Sequence, residues 1–197
     1  SSCHVIVDPF FCELKEDDLR KFLRAISCDN KKRICICSDT LIGNPVLKEF
    51  STIDFFFVYI HNNWDSLLRK RIDFQWNLYQ TNNVVQAAIY AAIYMGFSEI
   101  KLIGCEMTSM YEHLEVNANN VINNYHSYEY TQEEKDRLKH WSTIFDNEAI
   151  LKEYYENFHI FKQIRRYTEE KGIKIKNATI GGLLDMFKRE SLFVKGN

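Results

Sequence analysis

Three stretches of this chain carry side chains suited to chemistry. Gly104, Cys105 and Glu106 close a short apolar run. A glycine there lets a ligand approach the backbone, and a carboxylate beside it can take a proton, hold a metal or bind a ribose hydroxyl. Asn177 and Thr179 follow a second such run. They are small polar groups able to bond a base or a sugar, and they equally suit a turn before a helix. Between these two stretches, residues 107–147 hold His113, His126 and His140 among Tyr111, Tyr125, Tyr128 and Tyr130. A histidine titrating near neutrality is the usual general base for a hydroxyl, and a tyrosine hydroxyl can donate to a leaving phosphate. His126, inside the tyrosine cluster, is the base candidate; His159, on a long helical stretch, reads as structural. The plain alternatives are a solvated glutamate, a turn, and packing aromatics.

Other chemistries leave no trace. The chain has no glycine-rich phosphate loop, no Asp-x-Asp pair and no Gly-x-Ser-x-Gly elbow. A net charge of −2 gives no basic patch for nucleic acid or an anionic surface. The six cysteines include Cys35 and Cys37, which alternate with Ile34 and Ile36 on one strand face. Buried free thiols in a reducing, cytoplasmic compartment are the simpler reading than a disulfide or zinc framework, and no metal site is expected. No run reaches the roughly 18 apolar residues of a membrane span. Contact with the inner face of the membrane and homo-oligomerisation stay open.

These residues need elements to position them. Residues 4–7 read as a strand, 15–25 as an amphipathic helix through Leu19, Phe22, Leu23 and Ile26, and 33–37 as a second strand. A short helix opens at Pro45, and the unbroken apolar run 55–60 predicts a strand covered on both faces. Residues 64–79 read as a helical turn followed by irregular chain. Next comes a helix capped by Thr81 or Asn82, with Val84, Val85, Ala88, Ala91, Ala92 and Met95 as its apolar face and Gly96 as its stop. It feeds a buried strand over 99–103. The polar stretch 107–147 reads as a lid, with a helix over 131–145 capped by Thr131 and Glu134. A long helix over 148–171, a strand over 173–177 and a short helix over 183–188 complete the order.

Alternating strands and helices predict an α/β sandwich with a mostly parallel sheet, in which ligands bind outside the carboxyl ends of the strands. One domain over 1–197 is expected, with a lid at about 107–147. The abrupt start, with a strand almost at once, leads us to expect that an N-terminal part is missing.

The segment 82–106, a small-residue helix, Gly-Phe, a strand and then Gly-Cys-Glu, resembles a block of the bacterial sialyltransferases of glycosyltransferase family forty-two and the related hydroxymethylpterin-pyrophosphokinase-like (motility-accessory-like) domains, in their surface-polysaccharide branch. Residues 7–10, 119–130 and 174–187 add to the likeness, so that it spans most of the chain. The resemblance implies a Rossmann-like three-layer sandwich with a polar lid. It implies transfer of a sugar from a nucleotide donor, CMP in the sialyltransferases, to a glycan hydroxyl in capsule or lipopolysaccharide synthesis, with no cofactor or metal required. His126 would be the base. Tyr125, Tyr128 and Tyr130 would lie on the phosphate side, and Thr81, Asn82, Asn83, Gly104 and Glu106 beside the donor. Asn177 and Thr179 would lie near the nucleotide or sugar. The family's Gly-Asn-Gly-Pro-Ser block is absent, and its Gly-x-Asp and Ser-Gly positions read Glu106 and Asn82-Asn83 here.

Two other functions are compatible with the same fold. A magnesium-dependent pyrophosphokinase-like transferase would use Asp8, Asp39 and Glu106 as metal ligands. A non-catalytic binding domain of a glycan-assembly complex would need none of this machinery.

Overall fold

The structure, a computed structural model, describes residues 2–7, 14–29, 31–61, 72, 78–79, 81–119, 121–123 and 129–191. The chain divides into two compact units, Ser1–Phe97 and Ser98–Asn197. Both are α/β with parallel pairing throughout their described strands.

The first unit is built on strands β1 (Cys3–Ile6), β2 (Arg33–Ser38) and β3 (Ile53–Val58), in that order across the sheet. Helix α1 (Glu16–Ile26) connects β1 to β2, and two 3-10 turns, Asp39–Leu41 and Pro45–Glu49, connect β2 to β3. Leu19 and Leu23 of α1 are buried, as their spacing requires, and Phe22 and Ile26 pack beside them. Their core partners are Ile6, Cys35, Cys37, Leu41 and Val46. Cys35 and Cys37 do share a buried face, with Cys37 donating to the Cys35 Sγ at 3.6 Å. They are free thiols, as are Cys3, Cys28 and Cys105; Cys12 lies outside the described residues. Three acidic residues, Glu16, Asp17 and Asp18, favour the α1 N-terminus electrostatically where no side chain caps it.

Strand β3 departs from its reading. Phe55 and Phe57 pack on the core, but on the other face Asp54 is exposed and Phe56 is 55% exposed, so that face is covered only at Val58, which is 2% exposed. An unbroken apolar run cannot distinguish one covered face from two. Beyond it a short parallel pair joins β4 (Ile60–His61) to β5 (Leu78–Tyr79), so the expected irregular chain over 64–79 ends in a strand; residues 62–71 and 73–77 lie outside the description.

Helix α2 (Val84–Tyr94) closes this unit and packs against β1. Its cap is Asn83, not Thr81 or Asn82: the Asn83 side chain accepts from the Gln86 amide at 3.1 Å. Gln86 in turn accepts from the Asn82 amide at 2.8 Å, a reciprocal arrangement that satisfies two amides at the helix start. The buried face is Gln86, Ala87, Ile89, Tyr90 and Ala91, whereas Val84 and Met95 are exposed. The helix is apolar almost all round, so periodicity could not select the face. Its end is as read: Gly96, at φ 86°, donates to Ile93 O at 3.0 Å, and the Phe97 amide donates to Ala92 O at 3.1 Å.

The second unit is a sheet of β6 (Glu99–Leu102), β7 (Lys174–Asn177) and β8 (Lys188–Arg189), in that order. Strand β6 is shorter and less buried than expected, with Leu102 inside and Ile103 62% exposed. Much of the expected lid is helical. Helix α3 (Ser109–Asn119) precedes α4 (Gln132–Ile144), which carries the expected capping box of Thr131 and Glu134. Helix α5 (Asn147–Glu170) packs on α3 and β7, burying Ile150, Tyr154, Ile160, Phe161, Ile164 and Tyr167. It ends as α2 does: the Gly172 amide (φ 70°) bonds Glu169 O and the Ile173 amide bonds Thr168 O.

Replacing Asn83 by alanine removes a cap and should cost about 1 kcal/mol, while aspartate should retain most of it. Urea denaturation checks this, with midpoints that shift at constant slope.

Candidate functional site

Strands β6 and β7 run parallel with Leu102 opposite Asn177, so both carboxyl ends leave the sheet together. One further main-chain bond follows, from the Ala178 amide to Leu102 O at 2.8 Å. Beyond it side chains take over the pairing. The Cys105 amide donates to Thr179 Oγ1 at 3.0 Å. The Asn177 Oδ1 accepts from the Thr179 amide at 2.9 Å, and its Nδ2 donates to Leu184 O at 2.8 Å. Asn177 is 1% exposed and Thr179 6%. These two residues therefore tie the chain to itself at the sheet's end.

The turn after β7 is laid across the exit of β6. The Leu183 amide donates to Glu106 O at 2.7 Å. A side-chain carbon on Gly182 would stand 2.5 Å from that same oxygen, and Gly182 has φ 78°. Only glycine fits. Arg189 secures the turn by donating to the carbonyls of Thr179 at 2.8 Å, of Gly182 at 2.9 Å, and of Gly181. This replaces the short helix expected over 183–188. The turn is held instead by bonds to other parts of the unit, the Leu183 amide to Glu106 O and Arg189 to three turn carbonyls.

On this floor sits an open ledge. Gly104 has φ 70° and empty space where a side chain would be, the condition for a ligand to meet its backbone. Glu106 is exposed beside it, Ile180 is 88% exposed, and Met107 holds a left-handed φ of 56°. The Cys105 thiol, raised by burial and then by the Glu106 charge, stays protonated at neutral pH and is no nucleophile. Just beyond the ledge, Tyr154 OH and Ser109 Oγ lie 2.8 Å apart at the start of α3. Burial pushes the Tyr154 phenol up to about 12, which keeps it a hydrogen-bonding hydroxyl.

The expected site residues divide accordingly. Gly104, Glu106, Asn177 and Thr179 come together at one end of the second sheet. Tyr130 is half-buried in the same unit, next to the Thr131 cap. Thr81, Asn82 and Asn83 belong to the first unit at the start of α2. His126, Tyr125 and Tyr128 lie outside the described residues, as does Asp8. His140 is exposed on α4, and His159 makes local helix-surface contacts, 2.8 Å from Gln163 Nε2 and stacked on Tyr155. His113 is half-buried, edge-on to Trp141 and Tyr154, and burial lowers its pKa. Among the described residues, no three acidic, histidine or cysteine side chains converge to hold a metal. No described helix is long and apolar enough to cross a membrane.

Sequence reasoning missed Arg189, the contact of Gly182 with Glu106, and the Ser109–Tyr154 pair. The glycine pair was visible as a turn signal, but the partners of Arg189 and Tyr154 are set by tertiary packing. Protein-family models, curated proteins and solved structures return no match to this chain.

Gly182→Ala should cost about 3 kcal/mol or more, combining a left-handed alanine with a backbone clash. Gly172→Ala, at φ 70° with open space around it, should cost only about 1 kcal/mol. Equal denaturation midpoints for the two variants would refute the close approach to Glu106.

Proposed function

We propose that this chain is the nucleotide-sugar-binding domain of a sialyltransferase-like glycosyltransferase of bacterial surface-glycan synthesis. It would transfer a sugar from a CMP donor to a glycan hydroxyl on a Rossmann-like three-layer frame. The observation that carries this reading is the ledge at the carboxyl ends of β6 and β7. There Gly104 leaves its backbone open and Glu106 points a carboxylate into solvent, where parallel α/β sheets bind their ligands. The resemblance over 82–106 supplies the reaction class.

In this reading the donor lies against the ledge, and Glu106 bonds a ribose or sugar hydroxyl. A lid base, His126, takes the acceptor's proton while the nucleotide phosphate leaves toward tyrosine hydroxyls, with Tyr125, Tyr128 and Tyr130 as candidates. Asn177 and Thr179 act by holding the floor, since their polar atoms already bond Cys105, Leu184 and each other.

A second reading, a non-catalytic binding domain, draws on that same use of Asn177 and Thr179, which explains both residues without a ligand. The two readings separate on ligand response and turnover.

A thermal-shift titration with CMP, UMP, GDP and ATP, with and without magnesium, tests the assignment. A ligand at about 100 times its dissociation constant adds about 2.7 kcal/mol, a rise of several degrees for a chain of this size. A metal-independent response to CMP alone is expected, and Glu106→Gln should weaken it. A magnesium-dependent ATP response would move the assignment to the pyrophosphokinase-like class, and silence across the panel would favour the binding domain. Where transfer activity is measurable, His126→Ala should lower turnover by at least about 100-fold with the melting temperature unchanged.

A further inference from the structure

Parallel sheets are almost always covered on both faces, and their strands then read as continuous apolar runs. The sheet of the second unit reads otherwise. Strands β6 and β7 alternate charged and uncharged residues, Glu-Ile-Lys-Leu and Lys-Ile-Lys-Asn. Glu99 pairs with Lys174, Lys101 with Lys176 and Lys176 with Lys188, which puts these charges on one face. Leu102, Ile175 and Asn177, on the other face, are buried, and α5 packs on β7. An apolar helix laid over the charged face would have to strip water from its ionised groups. The pattern therefore suits water or a charged partner.

The charges on this face are unequal. Lys101, Lys174, Lys176 and Lys188 stand with only two carboxylates, Glu99 and Glu190. Glu190 reaches across the strands to pair with Lys101 at 3.0 Å and with Lys176, and Glu99 lies 3.7 Å from Lys176. Lys174 and Lys188 are exposed and form no ion pair among the described residues. Lys188 lies one strand from Lys176, about 4.8 Å across the sheet, and Lys174 two residues before it, about 6.6 Å along the strand. Like charges at this spacing repel one another, and an anion laid across the row relieves that repulsion.

The same face leads to the ledge. Lys101 is followed by Ile103, 62% exposed, and then by the open backbone of Gly104. Past Lys176 the chain reaches Ile180, 88% exposed, at the turn beside the ledge. Lysines followed by exposed aliphatic side chains match an extended ligand that carries both carboxylates and apolar ring faces, as acidic sugars do. We propose that this open sheet face docks an acidic, carboxylate-bearing glycan, with the lysines holding its charges and its end reaching the ledge. The inference rests on the glycan-acceptor reading above for the class of ligand, and it makes that acceptor acidic; it does not depend on the nucleotide donor.

Fluorescence anisotropy of a short, end-labelled oligogalacturonate titrated with the full chain tests it. Binding should saturate and weaken as salt is raised, and dextran of equal length should not bind. Lys174→Gln with Lys188→Gln should weaken the acidic glycan about tenfold, the sum of two exposed charge contacts, with the melting temperature unchanged because neither lysine has an ion pair to lose. Lys152→Gln with Lys162→Gln, on the exposed side of α5, removes the same charge elsewhere and should leave binding as it was. No saturable binding, or an equal loss in the two double variants, would overturn the surface. Polyglutamate of equal charge binding as tightly would overturn the glycan as its occupant and assign the face to an acidic peptide. Loss of glycan binding with the CMP response intact removes this surface alone. A silent nucleotide panel with glycan binding intact removes the donor reading and leaves the surface standing.

Discussion

The second unit depends on how two parallel strands are finished. Past the Leu102–Asn177 register the chains diverge, and the main-chain ladder can no longer satisfy its own buried groups. An unmet buried amide costs about 1–3 kcal/mol. Asn177 and Thr179 remove that cost with short polar side chains that bond backbone groups: Thr179 takes the Cys105 amide, and Asn177 takes the Thr179 amide and reaches Leu184 O. With Cys105 fixed, Glu106 has a fixed backbone. Its carbonyl then receives the Leu183 amide, and the returning turn must be glycine at 182 to pass. Arg189, at the start of the sheet's last exit, holds that turn by its carbonyls. Each step is possible only because the previous one is in place.

That construction divides the residues at the strand ends by role. Below the ledge, polar atoms are committed to the chain itself. Above it, Gly104 and Glu106 face solvent, and the left-handed Met107 turns the chain away from them into α3. A sequence reading cannot separate the two groups, because Asn, Thr, Gly and Glu are the residue types used for both ligand contacts and turns. The separation comes from which backbone amides lie within reach, and that is known only once the strands are paired.

The legible parts of the fold were those governed by local rules. Gly96 and Gly172 end their helices by the same pair of 5→2 and 6→1 bonds, and Thr131 with Glu134 forms its capping box, because these motifs involve residues within one turn. The Asn83 cap was legible in principle: Gln86 stands three residues on, whereas Thr81 and Asn82 have no such partner at that spacing. What failed was non-local. Helix α3 has Asn-rich, weakly helical composition, and the burial of Val116 and Glu112 that accompanies its packing on α4 and α5 is not written in any periodicity. The apolar face of α2 failed for the opposite reason, too many apolar positions rather than too few. At the ledge, Gly104 and Glu106 were legible from their place after an apolar run, but Arg189 was not, since an arginine one residue into a two-residue strand carries no local signal.

Burial also fixes the protonation states available to this unit. It raises Cys105 and Tyr154 and lowers His113, and all three shifts favour the neutral form. Cys105 and Tyr154 therefore keep their protons at neutral pH, and His113 is held toward its neutral form. The carboxylate of Glu106 stands outside that neutral interior, in water and beside an uncovered backbone. A charged ligand at the ledge would then meet fixed dipoles below and a single negative group at its edge.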